Sequence, residues 1–476
     1  MTPESIFKQL KDCKGKSIKH CIETSDMTLD LSHSIIPEEA FLKFSSITKK
    51  IKLIETFNSF FFKNTYNFTE KKSVNHHQLR SKNNNFYTNE KKRLLRFIDQ
   101  FHAKDTNPIT DIVQIGIGGS YIGPKAIYTA LYSQAISNSE KPLRAHFIAN
   151  IDPIEFKLCM NQLSPKNTLF LVASKSGSTL EVKTNIKLLQ EWWESHNLSQ
   201  ELLKEHCIVL TSKQSSIDNQ SLSKDQFYID NTIGGRFSTT SVIGMCLIGL
   251  CFGSNAVKQI LSGANIIDNN SQNSNITNNI ALAAAWEHIW QRNIKNYSLR
   301  TVITYSYSLQ YFPSLIQQLT CESNGKSVDK NNKFISYKTA PMIISSIGTT
   351  DQHSFFQLLH QGTNTIPVEF IGVKNQAKKH HSPIEKEANT LLNTNMNSQI
   401  KALESGEKSD NAHVYFKGNK PSSLILLNDI TPYILGQLIA FYENKTIFEG
   451  LIWNINSFDQ MGVELAKKLT KTLSKN

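Results

Sequence analysis

The chain has 476 residues, and 52 Lys and Arg against 40 Asp and Glu give it a formal net charge of +12 at pH 7. At roughly 100 to 200 residues per domain this length predicts two or three packed domains, and a hydrophobic content of 39% excludes a disordered chain. The positive charge is compatible with nucleic acid, an anionic membrane surface or a phosphorylated small molecule as partner, and charge by itself does not choose among them.

Nothing in the sequence indicates secretion, membrane insertion or nucleic-acid binding. The N-terminus has no apolar run typical of a signal peptide, and the longest apolar run, Val242 to Phe252, is shorter than the roughly 18 residues of a membrane span, so it predicts a buried helix. The seven cysteines include no Cys-x-x-Cys pair, which argues against a disulfide framework or a zinc site. We find neither a helix-turn-helix nor an aromatic-basic platform. We therefore expect a cytoplasmic protein without nucleic-acid or membrane partners.

The first part of the chain, residues 1–105, predicts a helical N-terminal segment without a clear β-strand. From Asp111 onward, short apolar runs alternate with stretches of helical length: DIVQIGI, AHFIANI, TLFLVAS and CIVLTS. This alternation is typical of βαβ units and predicts a parallel sheet, which assigns residues 106–265 to a first α/β domain. The polar tract from Ile266 to Asn279 is rich in Asn and Ser and predicts a loop at the domain boundary.

The second half of the chain repeats this architecture. Residues 280–431 contain the apolar runs TVITYSYS, PMIISSI, TIPVEFIGV and SLILLNDI, again separated by helical segments. Residues 432–476 predict a helical C-terminal segment with a long helix from about Pro432. The fold class is therefore predicted as α/β, with two doubly wound parallel-sheet domains. In such domains ligands bind in the crevice beyond the carboxyl ends of the strands.

The first predicted strand ends in a glycine-rich turn, GIGGS, that occupies residues 116–120. A dinucleotide fingerprint would need Gly where Tyr121 stands, and a P-loop would need Lys where Pro124 follows Gly123, so nucleotide binding is disfavoured. Free backbone amides at such a turn can bind an anion. A tight turn without any ligand explains the glycines equally well.

The third predicted strand ends in SKSGST, residues 174–179, directly before a helix whose apolar residues from Val182 to Trp193 share one face. Hydroxyls at a helix N-terminus suit a phosphate dianion, although Ser178 or Thr179 could simply cap the helix. Because both turns follow strands of one sheet, we favour phosphate binding. The residues assigned to it are Gly119, Ser120, Ser174, Lys175, Ser176, Ser178 and Thr179.

These turns and four later segments together resemble the glucose-6-phosphate isomerase family. The segments are IGGRFS (233–238), CESNGKS (321–327), GTTDQHSFFQLLHQG (348–362) and FDQMGVELAKK (458–468). Their order and spacing match the family from about residue 67 to the C-terminus. The resemblance implies two sugar-isomerase-type (SIS) domains, interconversion of glucose 6-phosphate and fructose 6-phosphate in glycolysis and gluconeogenesis, and no metal or other cofactor.

The chemistry of the reaction fits the residues that carry the resemblance. An aldose-ketose isomerisation through an enediolate needs a base, a cation near the developing oxyanion, and groups that open the sugar ring. By resemblance Glu322 is the base and Arg236 the cation. Taken alone, Glu322 would be a helix-end carboxylate bonded to nearby amides and Arg236 a surface ion pair.

Four further residues receive roles from the resemblance. His353 and Lys467 assist ring opening, and Gln318 and Gln460 contact the substrate. His353 is implied to reach the site from the partner subunit of an obligate homodimer. Gln460 and Lys467 are seven residues apart, which predicts one face of the terminal helix. Without the resemblance, His353 would be a structural histidine and Lys467 a solvated side chain.

Two points limit the resemblance and one alternative competes with it. In the segment from Asn67 to Arg80, Lys72 stands where the family usually has Arg; because Lys and Arg are not equivalent donors, we leave this segment out of the predicted site. Met461 stands where Trp is frequent. The alternative is a noncatalytic sugar-phosphate sensor on the same scaffold, which would need neither Glu322 nor His353, so their retention favours the enzyme.

Overall fold

The computed structural model describes residues 1–62, 66–81, 85–104, 107–219, 221–376, 378 and 380–473. The strands are β1 (Cys21–Glu23), β2 (Met27–Asp30), β3 (Tyr66–Asn67), β4 (Lys72–Ser73), β5 (Asp111–Ile115), β6 (Arg144–Ile148), β7 (Thr168–Ala173), β8 (Cys207–Thr211), β9 (Asp225–Tyr228), β10 (Leu299–Thr304), β11 (Met342–Ile347), β12 (Val368–Val373) and β13 (Ser422–Leu427). The α-helices are α1 (Pro3–Lys11), α2 (Glu38–Lys50), α3 (Leu53–Phe62), α4 (Asn85–His102), α5 (Ile122–Ser137), α6 (Pro153–Met160), α7 (Leu180–Ser195), α8 (Gln200–Glu205), α9 (Val242–Asn270), α10 (Ile280–Ile289), α11 (Phe312–Asn324), α12 (Phe356–Gln361), α13 (Pro383–Ser405), α14 (Pro432–Ile452) and α15 (Glu464–Leu473).

The first sheet is parallel and has the strand order β6-β5-β7-β8-β9. The chain leaves β5 toward β6 on one side and then returns to β7 on the other, so the topological switch point lies between β5 and β7. Both of the turns that were predicted to bind an anion follow these two strands. The four strands predicted here are confirmed, whereas β9 was missed because its four residues include the polar Asp225 and Gln226.

The second sheet has the order β1-β2-β13-β12-β10-β11, and its last four strands are parallel. The antiparallel hairpin β1-β2 pairs with β13, with Leu29 opposite Ile425. The prediction that residues 1–105 are helical throughout is therefore wrong, because this segment supplies two strands of the second sheet. Strands of three and four residues are too short for their alternation to stand out in a sequence, and they form because pairing covers the open edge of β13.

The helix α9 has a kink at Gly253, where φ is 83°, and the part after the kink is longer than the sequence predicted. It continues to Asn270, so the predicted loop from Ile266 begins five residues too early, and Asp268 is buried and accepts a hydrogen bond from Arg80 over 2.9 Å. Tertiary packing here overrides the low helix propensity of Asn. By length and composition the helical stretch Gly235–Asn270 could cross a membrane, but 78% of its apolar window is buried inside the protein, as in the core helix of a folded chain.

One hydrophobic core joins the two sheets. Apolar residues of both sheets and of the helices between them, α9 and α14, belong to a single buried cluster. The two helices cross at glycines: a Cβ on Gly263 would lie 1.8 Å from the carbonyl oxygen of Tyr433, and one on Gly436 would lie 2.0 Å from that of Ile260. The backbones can approach this closely only without side chains. The core is therefore continuous across the predicted boundary, and the division into domains stays a prediction.

Candidate active site

The turn after β7 brings its hydroxyls together at the carboxyl edge of the first sheet. Thr179 is the N-cap residue of α7, yet in the described structure its side chain makes no capping hydrogen bond, and its hydroxyl lies 3.4 Å from that of Ser174. The Ser178 hydroxyl donates to Ser176 over 2.9 Å. The capping alternative is therefore not what the structure shows, and the first amides of α7 are left in the orientation that binds anions at helix N-termini.

The ammonium of Lys175 binds the backbone of a neighbouring segment. Its ammonium donates to the carbonyl oxygens of Ile233 and Asn231, over 2.9 and 3.4 Å. Burial and, to a smaller extent, the positive charge of Lys72 lower the pKa of Lys175 to about 8. Lys175 thus links the segment that precedes Arg236 to the turn after β7. Its predicted contact with phosphate would then come from its backbone amide, with the ammonium contributing only through its charge.

The turn after β5 packs against the segment that carries Arg236. A Cβ on Gly119 would lie 1.9 Å from the carbonyl oxygen of Gly235, and one on Gly118 would lie 3.2 Å from Nε2 of Gln318. Ser120 ends the short helical turn that begins at Gly118 and is half-buried. At Gly119 only glycine allows this approach, so this turn can pack directly against the segment that carries Arg236.

Arg236 lies buried at the centre of the candidate site, and each of its guanidinium nitrogens has a partner. Nε donates to the Ser323 hydroxyl over 2.6 Å and Nη1 to Oε1 of Gln460 over 3.1 Å. Nη2 donates to the carbonyl oxygens of Ser457 and Asp459, over 2.5 and 3.0 Å. Burial lowers the pKa of Arg236, and the carboxylates around it oppose that shift. The guanidinium is thereby held in one orientation.

Glu322 lies in the last turn of α11 with its side chain 29% exposed. Its Oε1 is 3.2 Å from Nη1 of Arg236, and its Oε2 accepts a hydrogen bond from Gln318 over 2.9 Å. Gln318 precedes Glu322 by four residues, which places both on one face of the helix. Glu322 also lines a cavity of about 530 Å³ together with Gln460. The structure thus brings four of the predicted residues together: Arg236, Gln318, Glu322 and Gln460.

His353 lies elsewhere in the same chain. It ends a short helical turn after β11 and is exposed. Cys321, the neighbour of Glu322, contacts the carbonyl oxygen of Pro341, one residue before β11 begins. Because β11 has six residues, at roughly 3.3 Å each its ends are about 20 Å apart. Glu322 and His353 therefore lie near opposite ends of one strand.

Lys467 is also apart from the central group. It is exposed on α15 and pairs with Glu464 over 2.7 Å. Gln460 precedes this helix and has a non-helical backbone, with φ −145° and ψ 47°. The prediction that Gln460 and Lys467 share one face of the terminal helix is wrong, because α15 begins only at Glu464 and Gln460 lies before it.

The segment that was left out of the predicted site contacts it. Asn67 accepts a hydrogen bond from Asn456 over 2.8 Å and donates to the carbonyl oxygen of Phe458 over 3.2 Å. The Thr69 hydroxyl donates to the Asp459 carboxylate over 2.5 Å. The family likeness of Asn67-x-Thr69 was the signal for this contact. Among the described residues no cluster of three His, Cys, Asp or Glu side chains is arranged to hold a metal ion.

The chain is similar over nearly its whole length to known proteins of one family. Residues 30–476 match the family model described as phosphoglucose isomerase. The chain is 38% identical to a glucose-6-phosphate isomerase of Borreliella afzelii over an alignment of 484 positions, gaps included, which covers 97% of this chain and 91% of that protein. A glucose-6-phosphate isomerase of Treponema denticola is 38% identical over 460 residues, with 93% and 86% covered. The solved glucose-6-phosphate isomerase of Chlamydia trachomatis superposes with a TM-score of 0.89 at 32% identity, over 99% of this chain and 95% of that chain.

Proposed function

The chain belongs to the phosphoglucose isomerase family, and on this premise we propose that it interconverts glucose 6-phosphate and fructose 6-phosphate, a step of glycolysis and gluconeogenesis. The observation that carries the proposal is the contact between Glu322 and Arg236 at 3.2 Å, beside Gln318 and Gln460. A sugar-phosphate sensor would not require a carboxylate and a buried guanidinium to meet at the reacting carbons. We propose a cytoplasmic location, where the other glycolytic reactions occur.

The proposed mechanism uses this contact. The Glu322 carboxylate removes the proton from C2 of the open-chain aldose, and the electron pair of the C–H bond forms the C1–C2 double bond of the enediolate with the charge on O1. A proton then passes from O2 to O1, and the same carboxyl group returns its proton to C1 as the carbonyl group forms at C2. Negative charge develops on the sugar oxygens during this step. The Arg236 guanidinium, held in place by its five partners, stabilises that charge without having to reorient. The phosphate of the substrate is placed on the Ser174 to Thr179 turn.

Ring opening is proposed to involve a second subunit. Glu322 lies near the start of β11 and His353 follows its end, and so we infer that His353 reaches a Glu322 carboxylate from another copy of the chain. Exposed apolar side chains surround the cavity beside Glu322, among them Phe68, Met461 and Val463. The helix α15 also exposes a stripe of three leucines, Leu465, Leu469 and Leu473. Such unpartnered apolar surface supports a homodimer.

The function is tested by a coupled assay with purified protein. We expect fructose 6-phosphate to be converted to glucose 6-phosphate in buffer that contains excess chelator, because base, cation and ring-opening groups are all side chains. Loss of turnover in chelator that a divalent cation restores would contradict this mechanism. Binding of an open-chain analogue without any turnover would instead support the sensor.

We expect Thr179→Ala to weaken inhibition by inorganic phosphate and to raise KM for the sugar phosphate. The hydroxyl of Thr179 is not used as a helix cap, and a hydrogen bond to a charged group contributes about 1.5–3 kcal/mol, which corresponds to roughly 10- to 100-fold in binding. Ser195→Ala, at the other end of α7, is the matched control. Phosphate inhibition that is unchanged in Thr179→Ala would place the phosphate elsewhere.

Mixed dimers test whether His353 acts across the interface. Glu322→Gln and His353→Gln are each expected to be nearly inactive. Subunits that are mixed, unfolded and refolded together would form hybrids in which one site combines an intact Glu322 with an intact His353. We expect recovery of roughly a quarter of the wild-type activity, because half of the dimers are hybrids and each has one complete site. No recovery in verified hybrid dimers would show that His353 acts within its own subunit, and a fully active His353→Gln protein would show that it does not act in the reaction.

A further inference from the structure

The ammonium of Lys326 lies where two segments of the candidate site meet. On one side it donates to the carbonyl oxygens of Glu322 and Ser323, over 3.3 and 2.9 Å, at the end of α11. On the other side it donates to the carbonyl oxygens of Asn456 and Asp459, over 3.0 and 2.8 Å. It also lies 2.9 Å from the Asp459 carboxylate. One partly buried cation therefore contacts both segments.

We propose that Lys326 is a positioning residue for the isomerisation, because its ammonium fastens the end of the helix that carries Glu322 to the turn that carries Gln460. The inference rests on the proposed function. Lys326 is not among the residues that contact Arg236. Its role is to hold two of those residues, Glu322 and Gln460, at a fixed distance from each other.

At the end of α11, Lys326 donates hydrogen bonds to backbone carbonyl groups that have no hydrogen-bond donor within the helix. The last carbonyl groups of an α-helix have no partner within the helix, and the helix dipole makes that end negative. The carbonyl oxygens of Glu322 and Ser323 belong to this last turn of α11. A cation there stabilises the backbone of the last turn, and so it limits the movement of the Glu322 side chain.

On the turn side, Lys326 balances a buried carboxylate. Asp459 is 5% exposed, and its second oxygen accepts hydrogen bonds from Thr69 and Asn456, over 2.5 and 2.9 Å. Both of these donors are neutral, so Lys326 supplies the ion pair that a buried carboxylate requires. Without it, the turn would have to open so that water could reach Asp459.

The same turn is also bound by Arg236. Its Nη2 donates to the carbonyl oxygens of Ser457 and Asp459, and its Nη1 donates to Gln460. Arg236 comes from the segment after the first sheet and Lys326 from the segment after α11. A turn that opens at Lys326 therefore changes the distances among Arg236, Gln460 and Glu322, and a displacement of about 1 Å can lower a rate 100-fold.

The experiment compares Lys326→Met, Lys326→Arg and the control Lys330→Met by steady-state kinetics. For Lys326→Met we expect kcat to fall by roughly 10- to 100-fold, while inhibition by inorganic phosphate stays within twofold, because the Ser174 to Thr179 turn makes no contact with Lys326. Lys326→Arg keeps the cation and should recover part of kcat. Lys330 is exposed in the same loop, so Lys330→Met should behave as wild type.

Each outcome decides the inference. A wild-type kcat in Lys326→Met overturns it and leaves the proposed function intact, whereas a wild-type protein that does not isomerise overturns both. Equal losses of kcat and phosphate binding, without recovery in Lys326→Arg, would show a merely structural lysine and overturn it as well.

If Lys326→Met does not fold, the variant Asp459→Asn tests the inference in its place. It removes the carboxylate that pairs with Lys326, so kcat should fall several-fold while inhibition by phosphate is unchanged. An unchanged kcat overturns the inference.

Discussion

Replacement of Glu322 by Gln is expected to slow isomerisation by roughly 10²- to 10⁴-fold or more, the range for loss of a general base. The amide keeps the size of the carboxylate, and its single oxygen can still accept a hydrogen bond from Arg236, so binding of an open-chain sugar-phosphate analogue should survive. Exchange of the C2 hydrogen with solvent deuterium should fall in parallel with turnover, because both depend on the same proton abstraction.

The controls for this experiment are available in the chain. Glu194 lies near the end of α7, as Glu322 lies near the end of α11, and is exposed away from the site. Glu194→Gln should therefore leave kcat, exchange and analogue binding unchanged. A Glu322→Gln protein that exchanges and isomerises at nearly the wild-type rate would eliminate Glu322 as the base.

Replacement of Arg236 by Lys is expected to lower kcat/KM by roughly 10²- to 10³-fold, the effect of removing one donor from an oxyanion site. The positive charge is kept, but an ammonium has three donors on one atom and cannot reproduce the fork of the guanidinium. It cannot reach Ser323, Gln460 and the backbone of the 457–459 turn at once. Each buried acceptor left without a donor costs about 1 to 3 kcal/mol, so the free energy of unfolding should fall as well.

Turnover and stability have to be measured separately for this variant. Kinetics recorded well below the melting temperature, with the folded fraction monitored by circular dichroism, isolate the effect on catalysis. Arg144→Lys is the control for the same chemical change, because Arg144 forms a surface ion pair with Asp111 at the start of β5. A fully folded Arg236→Lys protein with wild-type kcat/KM would remove Arg236 from the mechanism.

Regular elements with a strong periodic pattern were predictable from the sequence. The four strands predicted in each half are present in the structure, and the helix after the SKSGST turn buries Val182, Leu189 and Trp193 as its spacing indicated. The errors occur where pairing or packing with distant residues decides the structure. The β1-β2 hairpin forms against β13, nearly 400 residues further along the chain, and α9 extends through polar residues because Asp268 is bonded to Arg80.

The candidate site, too, was predictable in its residue types but not in its contacts. The motifs identified the side chains of the site, because a family resemblance rests on residue types and on their order along the chain. They could not indicate where those side chains point. Lys175 was assigned to the phosphate site, and its ammonium donates to the carbonyl oxygens of Asn231 and Ile233. Lys326 belongs to the CESNGKS segment and had no predicted role of its own.

The sequence by itself determined the fold class, the two turns at the switch point, and the set of residue types that the isomerisation needs. These are local properties, since strand and helix periods, glycine-rich turns and motif order are each contained within a short segment of chain. The tertiary structure alone decided which of these residues meet. Arg236 and Gln460 are 224 residues apart and in contact, whereas Glu322 and His353 are 31 residues apart by their numbers and are separated by the length of β11. Distance along a chain does not determine distance in space, because long-range packing of helices and sheets brings segments together irrespective of their order.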